Sequence, residues 1–157
     1  MDRDQDIVAE LHGVRIPAAP HLAPRTIAAI KRGLYERPEI EGTLVNLRPG
    51  DRVVELGSGA GIVSAIIARN FDDLQVRTFE GNPELIDHIR KLHALNGLSD
   101  RVTVQNALVT AHPAPAPVTL FSVSTSFLGS RIADATVTET DPRTRRVETL
   151  PYADLRR

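Results

Sequence analysis

Residues 53–70, VVELGSGAGIVSAIIARN, decide how this sequence is read. A valine-rich run passes through Glu55, crosses Gly57, Gly59 and Gly61, and opens into a segment where Ile62, Val63, Ile66 and Ile67 recur at helical spacing. Strand, bare turn and helix in that order build a corner at which a ligand can reach the main chain. Glycine turns tightly and puts no Cβ in the way. The helix that follows offers free N–H groups and the positive end of its dipole.

The segments on either side extend the same rhythm. Residues 75–79 read as a second strand, and residues 83–96 as a helix with Leu85, Ile86, Ile89 and Leu92 on one face and Gly97 at its C-cap. Residues 101–105 read as a third strand. Strand and helix alternating in this way predict an α/β fold, a parallel sheet with crossover helices. Its ligand would sit at the C-terminal ends of the first strands, at a point where the strand order switches.

The glycine spacing separates two kinds of ligand. A ribose-binding carboxylate is expected about 20 residues beyond the glycines. Glu80 follows the second strand, 19 residues after Gly61 (80 − 61). The dinucleotide fingerprint G-x-G-x-x-G fails, because its last position is Ile62. Glu55 stands two residues before Gly57, where a carboxylate would oppose a pyrophosphate and suit a cationic ligand. S-adenosylmethionine carries a sulfonium and an ammonium and no phosphate, so the corner matches that cofactor better than a dinucleotide.

Around this centre, residues 1–47 form an expected helical lead-in or cap, and residues 48–157 the cofactor-binding part, together one structural domain. Gly13, Pro17 and Pro20 break the first residues into extended or short helical pieces. Pro24 opens a helix carrying Ile27, Ile30 and Leu34, which Pro38 should end or kink, and residues 39–47 fit a second short helix. Beyond the third strand, AHPAPAPV (111–118) predicts an extended loop and VTLFSVS (118–124) a strand. ATVTET and RRVETL flank DPRT and predict a hairpin or two loosely ordered extended segments.

Composition narrows the function classes. Hydrophobic residues at 41% and charged residues at 25% are ordinary for a globular domain. A net charge of −1 and only 4% aromatics argue against a nucleic-acid or anionic-membrane partner. With no cysteine there is neither disulfide nor thiolate metal site, which fits a reducing cytoplasm. No apolar run approaches the roughly 20 residues of a membrane span, and the acidic MDRDQDIVAE start lacks the apolar core of a signal peptide.

VVELGSGAG resembles the first motif of class I, Rossmann-like S-adenosylmethionine-dependent methyltransferases. RTFEGNPELIDHIRKLHALNG, with LYERPE before the first strand, VTVQNAL as the third and VETLPYADL late in the chain, resembles the FkbM family of that class, over about residues 33–155. The resemblance implies that Gly57, Ser58, Gly59 and Gly61 pass under the cofactor, with Glu55 toward its methionine end. Glu80 would hold the ribose hydroxyls, Gly81 and Asn82 border the adenosine, and Asn106 and Ala107 lie against the adenine. It also implies methyl transfer to a hydroxyl of a small-molecule or sugar-like acceptor. Family members continue past VETLPYADL with another core strand and an acidic motif, whereas this sequence stops at Arg157. The sheet is therefore expected to lack its later strands, leaving a fragment, a small divergent member, or a homodimer that completes the site in trans.

No residue can be named as a general base from sequence. His88 and His93 lie five apart, not at the i, i+4 spacing of a metal pair, and read as surface residues. His112 falls near the expected site; His12 and His21 read as exposed loop residues. Tyr35 and Glu36 divide evenly between a pocket role and simple packing, and RTRR (143–146) reads as a solvated turn. Three competing functions remain: a dinucleotide-dependent oxidoreductase, a non-catalytic cofactor-binding or interaction module, and nucleic-acid methylation. Glu55 and Ile62 speak against the first. Charge, few aromatics and the lack of an NPPY-like tetrad speak against the last.

Overall fold

A computed structural model describes residues 7–124, 128–134 and 136–156. The first six residues of the expected lead-in, and Ala135 of ATVTET, lie outside them. The chain runs β1 (Ile7–Leu11), β2 (Val14–Pro17), α1 (Pro24–Lys31), α2 (Arg37–Asn46), β3 (Arg52–Leu56), α3 (Ile62–Asn70) and β4 (Gln75–Glu80). A 3₁₀ turn, Pro83–Leu85, leads into α4 (Ile86–Leu95), followed by β5 (Val102–Thr110), β6 (Val118–Ser122), β7 (Arg131–Ile132) and β8 (Thr144–Pro151), with a last 3₁₀ turn at Tyr152–Arg156.

The expected strand–helix alternation forms a mostly parallel, Rossmann-like sheet. β3 pairs parallel with β4, and β4 with β5, in the registers Leu56↔Phe79 and Glu80↔Asn106. Both crossover helices lie on one face and touch, since the Gly61 turn meets Ile89 of α4. Their buried residues, Ile62, Ile66, Ile89 and Leu92, meet Val76 and Val102 of the sheet in the main core.

β5 is longer than expected because it has two partners in succession. Its first half pairs with β4, and residues 107–110 pair parallel with β8. β6 then pairs antiparallel with β8, and β7 with β6, giving the order β3-β4-β5-β8-β6-β7. The late strands thus extend the sheet past the ends of β3 and β4, and Phe121, Val123 and Val147 make a second, smaller core there with Leu108. RRVETL falls in β8, while the described residues of ATVTET form turns.

Three expectations are corrected. The lead-in is not wholly helical, because β1 and β2 form an antiparallel hairpin with Leu11 opposite Val14. Its two-residue turn, His12 (φ 46°) and Gly13 (φ 77°), has both φ values positive, as a tight hairpin matching strand twist requires. Alternate residues Ala9, Leu11, Val14 and Ile16 are buried, and β2 lies against α3 and α4. Nor does Pro38 end a helix. Instead α1 stops at Lys31, and Arg37 and Pro38 start α2, where a missing N–H costs nothing. The third correction concerns the switch point. Among the described strands β3 pairs only with β4, so the glycine turn leaves an edge strand, with Val54 and Leu56 39% and 52% exposed. Among the described residues no helix is long and apolar enough to cross a membrane.

Gly61 is where turn and helix packing meet. Its φ is +74°, and an added Cβ would lie 2.7 Å from Ile89 Cγ2. Gly61→Ala should therefore destabilise the protein by about 2 kcal/mol or more, from left-handed strain and overpacking together. Urea unfolding checks this, and the added cost of Ile89→Ala should be smaller in the Gly61→Ala background than in the wild type.

Candidate cofactor-binding site

Parallel registration sets the C-terminal ends of β3 and β4 beside the middle of β5, and a cavity of about 350 Å³ opens over them. Its floor is Leu56, Gly57, Gly59, Phe79, Glu80 and Gly81. Ala107, Leu108 and Val109 of β5, Phe121 of β6, and Leu128 and Ser130 wall one side, and Glu36, just before α2, closes another.

The floor is held by β4. The Phe79 carbonyl accepts the N–H groups of Gly57 (2.8 Å) and Ser58 (3.2 Å). Glu80 Oε2 accepts the N–H of Gly59 at 2.8 Å, and its Oε1 accepts that of Asn82 at 2.7 Å. Glu80 is buried, and burial pushes its pKa up against the opposing pull of the Asn82, Gly59 and Gly81 N–H groups.

Of the ten residues assigned from sequence, Gly57, Gly59, Glu80, Gly81 and Ala107 line the cavity. The other five do not, and each has a visible employment or none. Glu55 accepts the Thr78 hydroxyl at 2.5 Å and a bond from Ser64 of α3, so it turns toward the helical face. Burial raises its pKa, those bonds lower it, and the nearby Glu80 raises it. Gly61 caps α3. Asn82 caps the 3₁₀ turn by accepting the Glu84 N–H at 3.0 Å and donates to Ser130 Oγ at 3.2 Å. Asn106 donates its amide to the carbonyls of Glu80 (2.8 Å) and Gly81 (3.2 Å), bracing the floor from below. Ser58 is buried, and its Oγ has no hydrogen-bond partner among the described residues. Gly81 has a packing reason as well, since a Cβ there would meet Leu108 Cδ2 at 2.7 Å.

The structure divides the pair left open from sequence. Tyr35 is a core residue, and Glu36 is half-buried at the cavity. Burial raises the Glu36 pKa, as do the charges of Glu55 and Glu39. Of the wall residues only Ala107 carried a sequence signal; Phe121, Leu128 and Ser130 come in from farther along the chain, where β6 pairs with β8 and β8 with β5.

The histidines other than His12, which is exposed in its turn as expected, differ from expectation. His93 is 2% exposed, and its Nε2–H donates to the Gly61 carbonyl at 3.3 Å, with Ser64 Oγ at 3.4 Å. It lies on the same helical stripe as Ile86 and Ile89, a spacing visible in the sequence. His21 is half-buried, its ring edge-on to His88 with centroids 4.4 Å apart. His112 is exposed and away from this cavity, its Nδ1 accepting the Ala114 N–H. Among the described residues no three histidine or acidic side chains converge as a metal site.

No known family profile matches the chain. It is similar to the ribosomal RNA small subunit methyltransferase G of Acidothermus cellulolyticus, with 30% identity over 129 residues, covering 74% of this chain. The match spans 58% of that relative's length. Among solved structures it is similar to an S-adenosylmethionine-dependent methyltransferase of Geobacter sulfurreducens in complex with S-adenosyl-L-homocysteine (26% identity, TM-score 0.40, 46% of this chain and 28% of that one). It is also similar to an RNA methyltransferase of Salinibacter ruber in complex with the same molecule (24%, TM-score 0.42, 46% and 48%). A third likeness is to a precorrin-6y C5,15-methyltransferase of Geobacter metallireducens (17%, TM-score 0.46, 66% and 50%).

Burial lowers the His93 pKa from 6.5 to about 4, outweighing the bond to Gly61. Between those values the unfolded chain takes up a proton that the folded chain refuses. Stability contributed by the neutral ring is therefore complete above about pH 6.5 and falls as pH drops toward 4. Replacing the ring by a non-titrating His93→Gln side chain should remove up to about 1.4 kcal/mol per pH unit from that slope. Denaturant midpoints of both proteins from pH 7 to pH 4.5 measure the difference.

Proposed function

We propose that this chain binds S-adenosylmethionine in the cavity above β3 and β4 and is a methyltransferase of the class I type. The observation that carries the proposal is the lining itself. Bare backbone at Gly57, Gly59 and Gly81 meets two carboxylates, Glu36 and Glu80, and none of the lining residues is cationic. Such a surface opposes a pyrophosphate and accommodates a nucleoside whose charge is positive, which disfavours the dinucleotide alternative. The cavity lies within the range of small-ligand pockets. The similarity to a methyltransferase at 30% identity supports the same class.

When bound, that cofactor supplies a methyl group on a sulfonium. The chain's own residues have to orient two reactants. Glu80 offers the ribose hydroxyls whatever acceptor capacity its two backbone bonds leave free, Gly57 and Gly59 let the ligand lie on the main chain, and the Leu108–Phe121 wall excludes water. Placing an acceptor oxygen in line, about 3 Å from the methyl carbon, is the main demand of such a displacement. The cofactor would supply the methyl group and keep the electron pair of its C–S bond as the acceptor's bond to carbon is made, and a hydroxyl acceptor would release its proton to solvent.

For the acceptor, our reading is a hydroxyl on a small or sugar-like molecule, supported by the FkbM-like order of motifs and by the chain's near-neutral charge. A second reading, methylation of ribosomal RNA, is favoured by the name of the Acidothermus relative. A cofactor-binding module without transfer is the third.

Titration calorimetry with S-adenosylhomocysteine tests the cofactor site. We expect binding in the micromolar range, at least tenfold weaker in Glu80→Ala, and none with NAD. A folded protein that binds neither ligand would overturn the assignment. With the cofactor established, transfer of a radiolabelled methyl group to a panel of hydroxylated small molecules, set beside small-subunit ribosomal RNA, separates the acceptor readings, and transfer to neither leaves the binding module.

A further inference from the structure

Glu36 has no local reason to be where it is. It holds φ 42° and ψ 37°, a left-handed conformation that a side chain adopts at a cost of about 1 kcal/mol or more. It stands at the N-cap of α2, yet its side chain makes no capping bond. The conformation instead sets a half-buried carboxylate at the cavity, hydrogen-bonded to the Tyr35 hydroxyl and under the repulsion of Glu55 and Glu39. No cation among the described residues pairs with Glu36. A carboxylate without counter-charge at a small cavity calls for a ligand that brings a cationic group.

We infer that Glu36 is the charge-reading residue of this cavity: its carboxylate receives an ammonium or sulfonium carried on a nucleoside, so the site prefers a cationic nucleoside to a neutral one of the same base and sugar. The inference rests on the cofactor reading above and adds a residue and a selectivity to it. Glu80 is less suited to the same task, because each of its oxygens already accepts a backbone N–H at the floor. Glu55 is turned to the helical face.

The test compares S-adenosylmethionine with 5′-deoxy-5′-methylthioadenosine, which keeps the adenine, ribose and sulfur but carries neither cationic group. Calorimetry on wild type, Glu36→Gln and Glu36→Gly gives six affinities. Glutamine keeps the shape without the charge, and glycine takes the left-handed backbone without strain, so a folded variant is secured. Both substitutions should lower the preference for the cationic ligand about tenfold and leave methylthioadenosine binding within about twofold of wild type, as for loss of one charged contact. An unchanged preference, or equal losses for both ligands, would overturn the inference and make Glu36 a structural residue. Glu80→Ala tells the two failures apart. If wild type binds and Glu80→Ala does not, while Glu36 variants keep the preference, only this inference falls. If wild type binds neither ligand, the cofactor reading falls and this one with it.

Discussion

The Glu80 carboxylate takes an N–H from each side of the cavity floor, Gly59 from the glycine turn and Asn82 from the turn after β4. Two turns that are 23 residues apart in sequence (82 − 59) are thereby fixed to one side chain. Bonds from backbone N–H to a carboxylate are the stronger kind, about 1.5–3 kcal/mol each. They also compensate a buried charge that would otherwise be expensive. The rest of the site follows from this clamp. With the turn held down, α3 begins at Gly61, its first turn meets α4, and the opening above Gly57 and Gly59 stays clear of side chains. Asn106 reinforces the clamp from the next strand by satisfying the Glu80 and Gly81 carbonyls.

Support for the glycine turn also comes from the helical side. Ile89 fills the space that a Gly61 side chain would need, and His93 one turn later bonds the Gly61 carbonyl, which Ser64 also reaches at 3.2 Å. The Gly61 carbonyl, which accepts the Ala65 N–H of its own helix at 3.3 Å, thus takes a further bond from a ring on another helix. This couples the packing of α3 on α4 to the conformation of the turn at the cavity floor. A change in α4, remote from the cavity in sequence, acts on the site through two contacts rather than through general loosening.

What the sequence disclosed was local. Glycine spacing, the interval to Glu80 and the apolar stripes of α3 and α4 each depend on residues a few positions apart, and all reappear in the fold. Two misses were local as well, and so avoidable. The alternation of Ala9, Leu11, Val14 and Ile16 about His12–Gly13 is a hairpin pattern, obscured because positive φ is uncommon at any residue other than glycine. His93 shares the buried stripe of Ile86 and Ile89, but its polarity made it read as surface. The remaining differences are long-range. Nothing in VTLFSVS or RRVETL announces that β8 will insert between β5 and β6, or that Phe121 and Leu108 will wall a cavity built by glycines far upstream. Strand order depends on which edges meet, and a pattern of alternating residues is silent about that.

The electrostatics of the cavity work against the stability of the fold. Glu36, Glu55 and Glu80 all have their pKa values raised, with burial the leading cause in each. A carboxyl whose folded pKa is raised resists ionisation in the fold, so at neutral pH these groups lower stability rather than add to it. The three differ in how that cost is met. Glu55 is answered by Thr78 and Ser64, Glu80 by backbone N–H groups, and Glu36 only by the hydroxyl of Tyr35. The least compensated acid is therefore the one at the rim of the cavity, where a bound cation could neutralise it. A ligand that does so binds the folded chain and not the unfolded one, and its binding free energy is returned as stability. Any apolar replacement that eased the strain at this rim would, on the same reasoning, remove part of the driving force for binding.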